Sequence, residues 1–84
     1  MPKSQRDYSY EQWLMQLGLK ISYYRKMAGL TQEELADRVD VTPSYISQVE
    51  RPTKMQAVSL QLLYNISKAL DVEPYLLIKP DNAK

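Results

Sequence analysis

The sequence holds no cysteine and no histidine. Without cysteine there are no disulfides and no thiolate metal sites. Without histidine as well, the usual nucleophile–base pairs and nearly every zinc site are excluded. General acid–base work relies most often on histidine, so catalysis by carboxylates alone is disfavoured and no enzyme is expected. An excess of charge is missing too: 11 Lys and Arg stand against 10 Asp and Glu, a formal net of +1. Overall charge therefore argues for no partner, and a nucleic-acid ligand would require the basic residues to gather on one face. No apolar run approaches the roughly 20 residues needed to cross a bilayer, so no membrane is implied. Met1 to Arg6 are not followed by an apolar core of signal type. A cytoplasmic location is the default. With 84 residues the chain can bury one core but has little room for a second site or a hinge.

Glycine is scarce, with two residues against five prolines, and these punctuate the chain. Residues 1–8 are polar and form an expected N-terminal arm, 9–79 form the domain, and 80–84 form a polar tail. From Ser9 to Ala28 the residues Leu14, Leu17, Ile21, Tyr24 and Ala28 recur at steps of three and four. That spacing makes one helical stripe, ending at Gly29, with Trp13 beside it. Lys20, Arg25 and Lys26 late in this helix are expected on a solvated face. Thr31 and Glu34 then form a capping box, and Leu30 and Leu35 a hydrophobic staple, opening a second helix with Leu35, Ala36 and Val39 inward. Thr42 caps a third helix with Pro43 at its first position. Ile46 and Val49 anchor it, leaving Ser44, Ser47, Gln48 and Arg51 on the opposite side. After a loop from Arg51 to Val58, Ser59 caps a fourth helix with Leu62, Leu63, Ile66, Ala69 and Leu70 inward. Glu73-Pro74 opens a short fifth helix carrying Tyr75, Leu76, Leu77 and Ile78. The expected fold is all-α, five helices, with no convincing strand.

The second and third helices are joined only by Val39-Asp40-Val41, which forces a steep crossing, the helix-turn-helix geometry. Close packing requires a small residue in the second helix, and Ala36 supplies it. With these features, GLTQEELADRVDVTPSYISQVER and SLQLLYNISKALDV resemble the Cro and phage-repressor type of helix-turn-helix family. The resemblance covers roughly Leu17 to Ile78 and implies a five-helix, lambda-repressor-like DNA-binding domain. It implies that Gln32 holds a DNA phosphate and that Thr42, Pro43, Ser44 and Tyr45 enter the major groove. Ser47 lies on the same outward side. Gln48 matches a position that often reads a base edge, and Arg51 and Lys54 match the loop that grips the backbone. The chemistry agrees: an amide pairs two-pronged with adenine, hydroxyls serve either base class, and proline touches a thymine methyl.

Asp40 and Asp71 stand where the family usually has glycine, and aspartate tolerates the left-handed conformation better than most residues. The loop from Glu50 to Leu60 is about two residues longer than the family's. Glu33, Glu34, Asp37 and Asp40 make the second helix acidic, so phosphates would repel its outer side. The apolar cluster Tyr75, Leu76, Leu77 and Ile78 is either a lid on the core or a dimer seam, and the seam is favoured because family members typically pair through this end. The expected function is a sequence-specific, double-stranded-DNA-binding transcriptional regulator, chiefly a repressor, acting as a homodimer on a palindromic operator without cofactor, metal or small-molecule ligand. Within the same fold the alternative is an antitoxin or a restriction–modification controller. The rival from another class is a protein-interaction adaptor that keeps the fold without binding DNA.

Overall fold

In a computed structural model that describes residues 9–51 and 58–79, the chain folds into helices α1 (Tyr10–Met27), α2 (Gln32–Val39), α3 (Pro43–Glu50), α4 (Leu60–Leu70) and α5 (Pro74–Ile78). No strand occurs among the described residues. The arm at 1–8, the tail at 80–84, Lys54 and most of the 51–58 loop lie outside them.

The first four helices start where their caps are written, while α5 opens on Glu73-Pro74 without a side-chain cap bond. Ser9 accepts from the Gln12 N–H at 3.1 Å while the Gln12 side chain accepts from the Ser9 N–H at 2.9 Å. Thr31 and Glu34 close the same box at 3.0 and 2.8 Å. Thr42 accepts from the Tyr45 N–H at 3.1 Å, and Ser59 from that of Leu62 at 3.0 Å. These side chains satisfy donors that a helix start otherwise leaves orphaned, each worth about 1 kcal/mol.

Three helix ends share one device. Gly29, Asp40 and Asp71 adopt positive φ of 76°, 62° and 59°. The next residue then donates back to the carbonyl five positions earlier: Leu30 to Arg25, Val41 to Ala36, Val72 to Ser67, at 3.0 to 3.1 Å. In each case that next residue is apolar and turns toward the core, which fixes where the following segment begins. The two aspartates do the work that glycine does at the end of α1.

The core is a single cluster. Leu14, Leu17 and Ile21 of α1 meet Leu35, Ala36 and Val39 of α2, Ile46 and Val49 of α3, and Leu62, Leu63, Ile66 and Leu70 of α4. Leu77 of α5 joins them at 1% exposure. This removes Leu77 from the cluster favoured as a dimer seam. In a one-and-a-half-turn helix only one side can face inward, and Leu77 is the residue on it, while Tyr75 stays 57% and Ile78 38% exposed and Leu76 is half-buried. The indole N–H of Trp13 donates to the Ile78 carbonyl at 3.1 Å, and the Lys20 ammonium donates to that of Lys79. Both bonds tie α5 to α1, and Trp13 packs against the core as an extension of the helix stripe.

A second correction concerns Arg25. It is buried, at 7% exposure, and does not share the solvated face of Lys26. Its position four residues after Ile21 puts it on the inward side of α1.

Candidate nucleic-acid interface

The face in question is built on α3. Ile46 and Val49, at 0% and 4% exposure, pin one side of this helix to the core. Helical spacing then leaves Ser44 and Gln48, one turn apart, on the opposite side, where both are exposed together with Thr42 and Pro43 at the helix start. Tyr45 and Ser47 flank this strip, half-buried, and Tyr45 packs against the core. No residue of the exposed strip from Thr42 to Gln48 is charged. Such a strip offers hydroxyl and amide groups of both donor and acceptor type on a rigid rod, the equipment needed to match hydrogen-bonding edges in a groove. Arg51 follows directly, exposed at the helix end.

The rod is held at its far end by a buried polar network. The Arg25 guanidinium grips the Glu50 carboxylate side-on, with Nε to Oε2 at 2.6 Å and Nη2 to Oε1 at 3.0 Å. Its Nη1 donates to the Leu30 carbonyl at 2.8 Å. Glu50 Oε1 also accepts from the Gln32 amide at 3.0 Å. One carboxylate thus joins the end of α1, the start of α2 and the end of α3. Two parallel charge-assisted bonds fix orientation as well as distance. Gln32, half-buried at the first position of α2, is held in place by Glu50, and an amide nitrogen with two hydrogens keeps one for a further acceptor.

Gly18 completes the junction. A Cβ placed there would lie 2.6 Å from the carbonyl oxygens of both Val49 and Glu50. The backbone of α1 therefore touches the end of α3 directly, which no larger residue permits.

The structure brings Gln32, Thr42, Pro43, Ser44, Tyr45, Ser47, Gln48 and Arg51 onto the α2–α3 unit. Tyr75, Leu76 and Ile78 sit apart on α5. Sequence reasoning missed Arg25, Glu50 and Gly18 as the supports of this unit. A signal was there to find: Arg25 lies four residues after Ile21 and Glu50 four after Ile46, so two opposite charges occupy inward positions of two helices. No cluster of His, Cys, Asp and Glu able to hold a metal exists among the described residues, and no helix there is long and apolar enough to cross a membrane.

A helix-turn-helix family model matches residues 21–77. The transcriptional regulator SinR of Bacillus subtilis is 37% identical over 62 residues, which are 74% of this chain and 55% of that protein. The chain thus spans about half the length of that relative. Among solved structures, the restriction-modification controller protein C.AhdI from Aeromonas hydrophila superposes with a TM-score of 0.71 at 34% identity, covering 81% of this chain and 98% of the controller. SinR, described as the master regulator for biofilm formation and solved in complex with DNA, superposes with a TM-score of 0.68 at 36% identity, covering 75% of this chain and 98% of the other. On the matched residues, the capped α2–α3 unit and these likenesses together, the chain belongs to the helix-turn-helix family of Cro/C1-type transcription regulators, which are not enzymes.

Proposed function

We propose that the chain binds double-stranded DNA at specific sequences and regulates transcription, acting as a homodimer on a palindromic operator and chiefly as a repressor. The observation that carries this reading is the uncharged strip Thr42, Pro43, Ser44 and Gln48 on the outer side of α3, exposed on a helix clamped at its other end by Arg25 and Glu50. Solvated helix faces ordinarily carry charge, whereas a helix that reads base edges needs hydrogen-bonding groups without long-range attraction. Gln32 and Arg51 supply the backbone grip, Gln32 through its amide and Arg51 through its charge. Lys54 is assigned the same duty from the sequence resemblance.

SinR, a relative at 36% identity, has been solved with DNA, which supports a duplex as partner. Tyr75, Leu76 and Ile78 are assigned to the dimer seam, with Leu77 beneath them as core. A small domain seated in the groove denies that stretch of duplex to other proteins, which makes repression the simplest outcome. The likeness to C.AhdI favours, as a second reading, control of a paired restriction–modification gene set.

Selection of bound sites from random duplexes tests the reading. The expected result is a two-fold symmetric motif with half-sites about one helical turn, roughly 34 Å, apart. Failure to enrich any motif would sink the claim of sequence-specific binding.

A further inference from the structure

Apolar side chains of α1 do not stop at the core. Met15, Leu19, Tyr23 and Met27 follow one another at steps of four, and they are 54%, 61%, 55% and 69% exposed. Steps of four at about 100° per residue make one gently winding line. It runs about 18 Å along the side of α1 turned away from Leu14, Leu17 and Ile21. Isolated exposed apolar residues are ordinary, but a continuous row is not. Nothing in the helix-turn-helix unit accounts for this row, since α3 packs on another side of α1, at Gly18.

We propose that this row is a self-association surface, on which α1 of a second copy packs antiparallel across a two-fold axis at Leu19. Charge decides the direction. Glu11 stands at one end of the row and Lys26 at the other, both exposed. Parallel pairing would set glutamate against glutamate and lysine against lysine. Antiparallel pairing about Leu19 brings Glu11 of each copy level with Met27 of its neighbour, one residue from Lys26, and Met15 level with Tyr23, with Leu19 against Leu19. The two helix dipoles then oppose each other as well.

Area decides the strength. Four such side chains, each a little over half exposed, present roughly 300–400 Å² per copy, within the range where patches on monomers are functional. That is about half of the roughly 800 Å² per partner found in stable pairs, so the contact is weak in dilute protein. It gains force where two copies are held near each other on one duplex, at millimolar effective concentration. The surface lies on α1 and the proposed seam lies on α5, so the two are separable, and the proposal stands whether or not the DNA-binding reading does.

The test is a dilution series of the full chain by NMR, from about a millimolar to tens of micromolar. Shifts of the Met15 and Met27 methyls should move with concentration. In a mixed sample of labelled and unlabelled protein, the Met15 methyl should show a cross-copy contact to the Tyr23 ring, a pair 12 Å apart along a single helix by its rise of 1.5 Å per residue. Leu19→Glu and Leu19→Lys should each abolish the effect, because like charges then meet on the axis, while melting stays unchanged. Mixing the two variants should restore pairing between them. Concentration-independent shifts in the parent would overturn the proposal, as would association that survives Leu19→Glu undiminished. Failure of the mixed variants to pair would overturn the two-fold placement at Leu19.

Discussion

Replacing Gly18 by alanine adds one methyl, and that methyl would lie 2.6 Å from two backbone oxygens at the end of α3. Alanine gains about 1 kcal/mol in helix propensity over glycine. Overpacking against backbone, which cannot swing aside as a side chain can, costs about 1–3 kcal/mol. The expected outcome is a net loss and a melting temperature lower by several degrees. An equal or higher melting temperature would mean that α1 and α3 do not approach as described. Gln48→Ala acts differently. It should weaken binding at one or two base pairs per half-site by roughly 1–3 kcal/mol and relax preference there, as measured on a panel of single-base-pair variants of the site. An equal loss on every sequence would make Gln48 a backbone contact. The difference between these two residues also marks what a sequence discloses. Gly29 was legible as a helix end because a chain stop leaves a local signature. Gly18 was not, because its partner is the backbone of Val49 and Glu50, more than 30 positions away, and backbone approach leaves no trace in residue type.

At the scale of elements, α2 and α3 are held at their crossing by Ala36 and at their free ends by Glu50. Glu50→Ala would leave the Arg25 guanidinium buried and unpaired, at an expected cost of about 3–5 kcal/mol in denaturant unfolding. Arg25→Met combined with Glu50→Leu should recover most of that loss, since an apolar pair of similar volume carries no desolvation penalty. A loss under 1 kcal/mol for Glu50→Ala would show that the carboxylate does not hold the network. Caps, helix limits and apolar stripes were legible because they are set within a turn or two of chain: Thr31 with Glu34, Thr42 with Pro43, Ser59. Arg25 and Glu50 were passed over for the opposite reason. Charged residues are nearly always solvated, and only their shared placement on inward positions distinguishes these two. Leu77 was misplaced because a short apolar run has no period long enough to show which side faces in. Leu77→Lys would accordingly unfold the domain, and Ile78→Lys is the variant that probes the seam. It should lower operator affinity and shift sedimentation toward a monomer while helix content persists. Sedimentation and operator affinity both unchanged would place the seam elsewhere.

For the whole molecule, a near-neutral net charge has to be reconciled with a polyanionic partner. The acidic side chains Glu33, Glu34 and Asp37 lie exposed on α2, where Glu33 and Glu34 suit the positive end of that helix, while Arg51 closes α3. Attraction to phosphates is then modest, and discrimination is assigned, on the proposed reading, to the uncharged strip. The most direct test is a titration of one selected duplex and one scrambled duplex at two salt concentrations, with the parent chain and a Ser44→Ala, Gln48→Ala double variant. Binding of the parent to both duplexes should fall as salt rises, with the selected duplex held more tightly at each salt. The double variant should lose most of the difference between duplexes and keep the salt dependence. A double variant that still discriminates as the parent does would contradict the assignment of recognition to the outer side of α3.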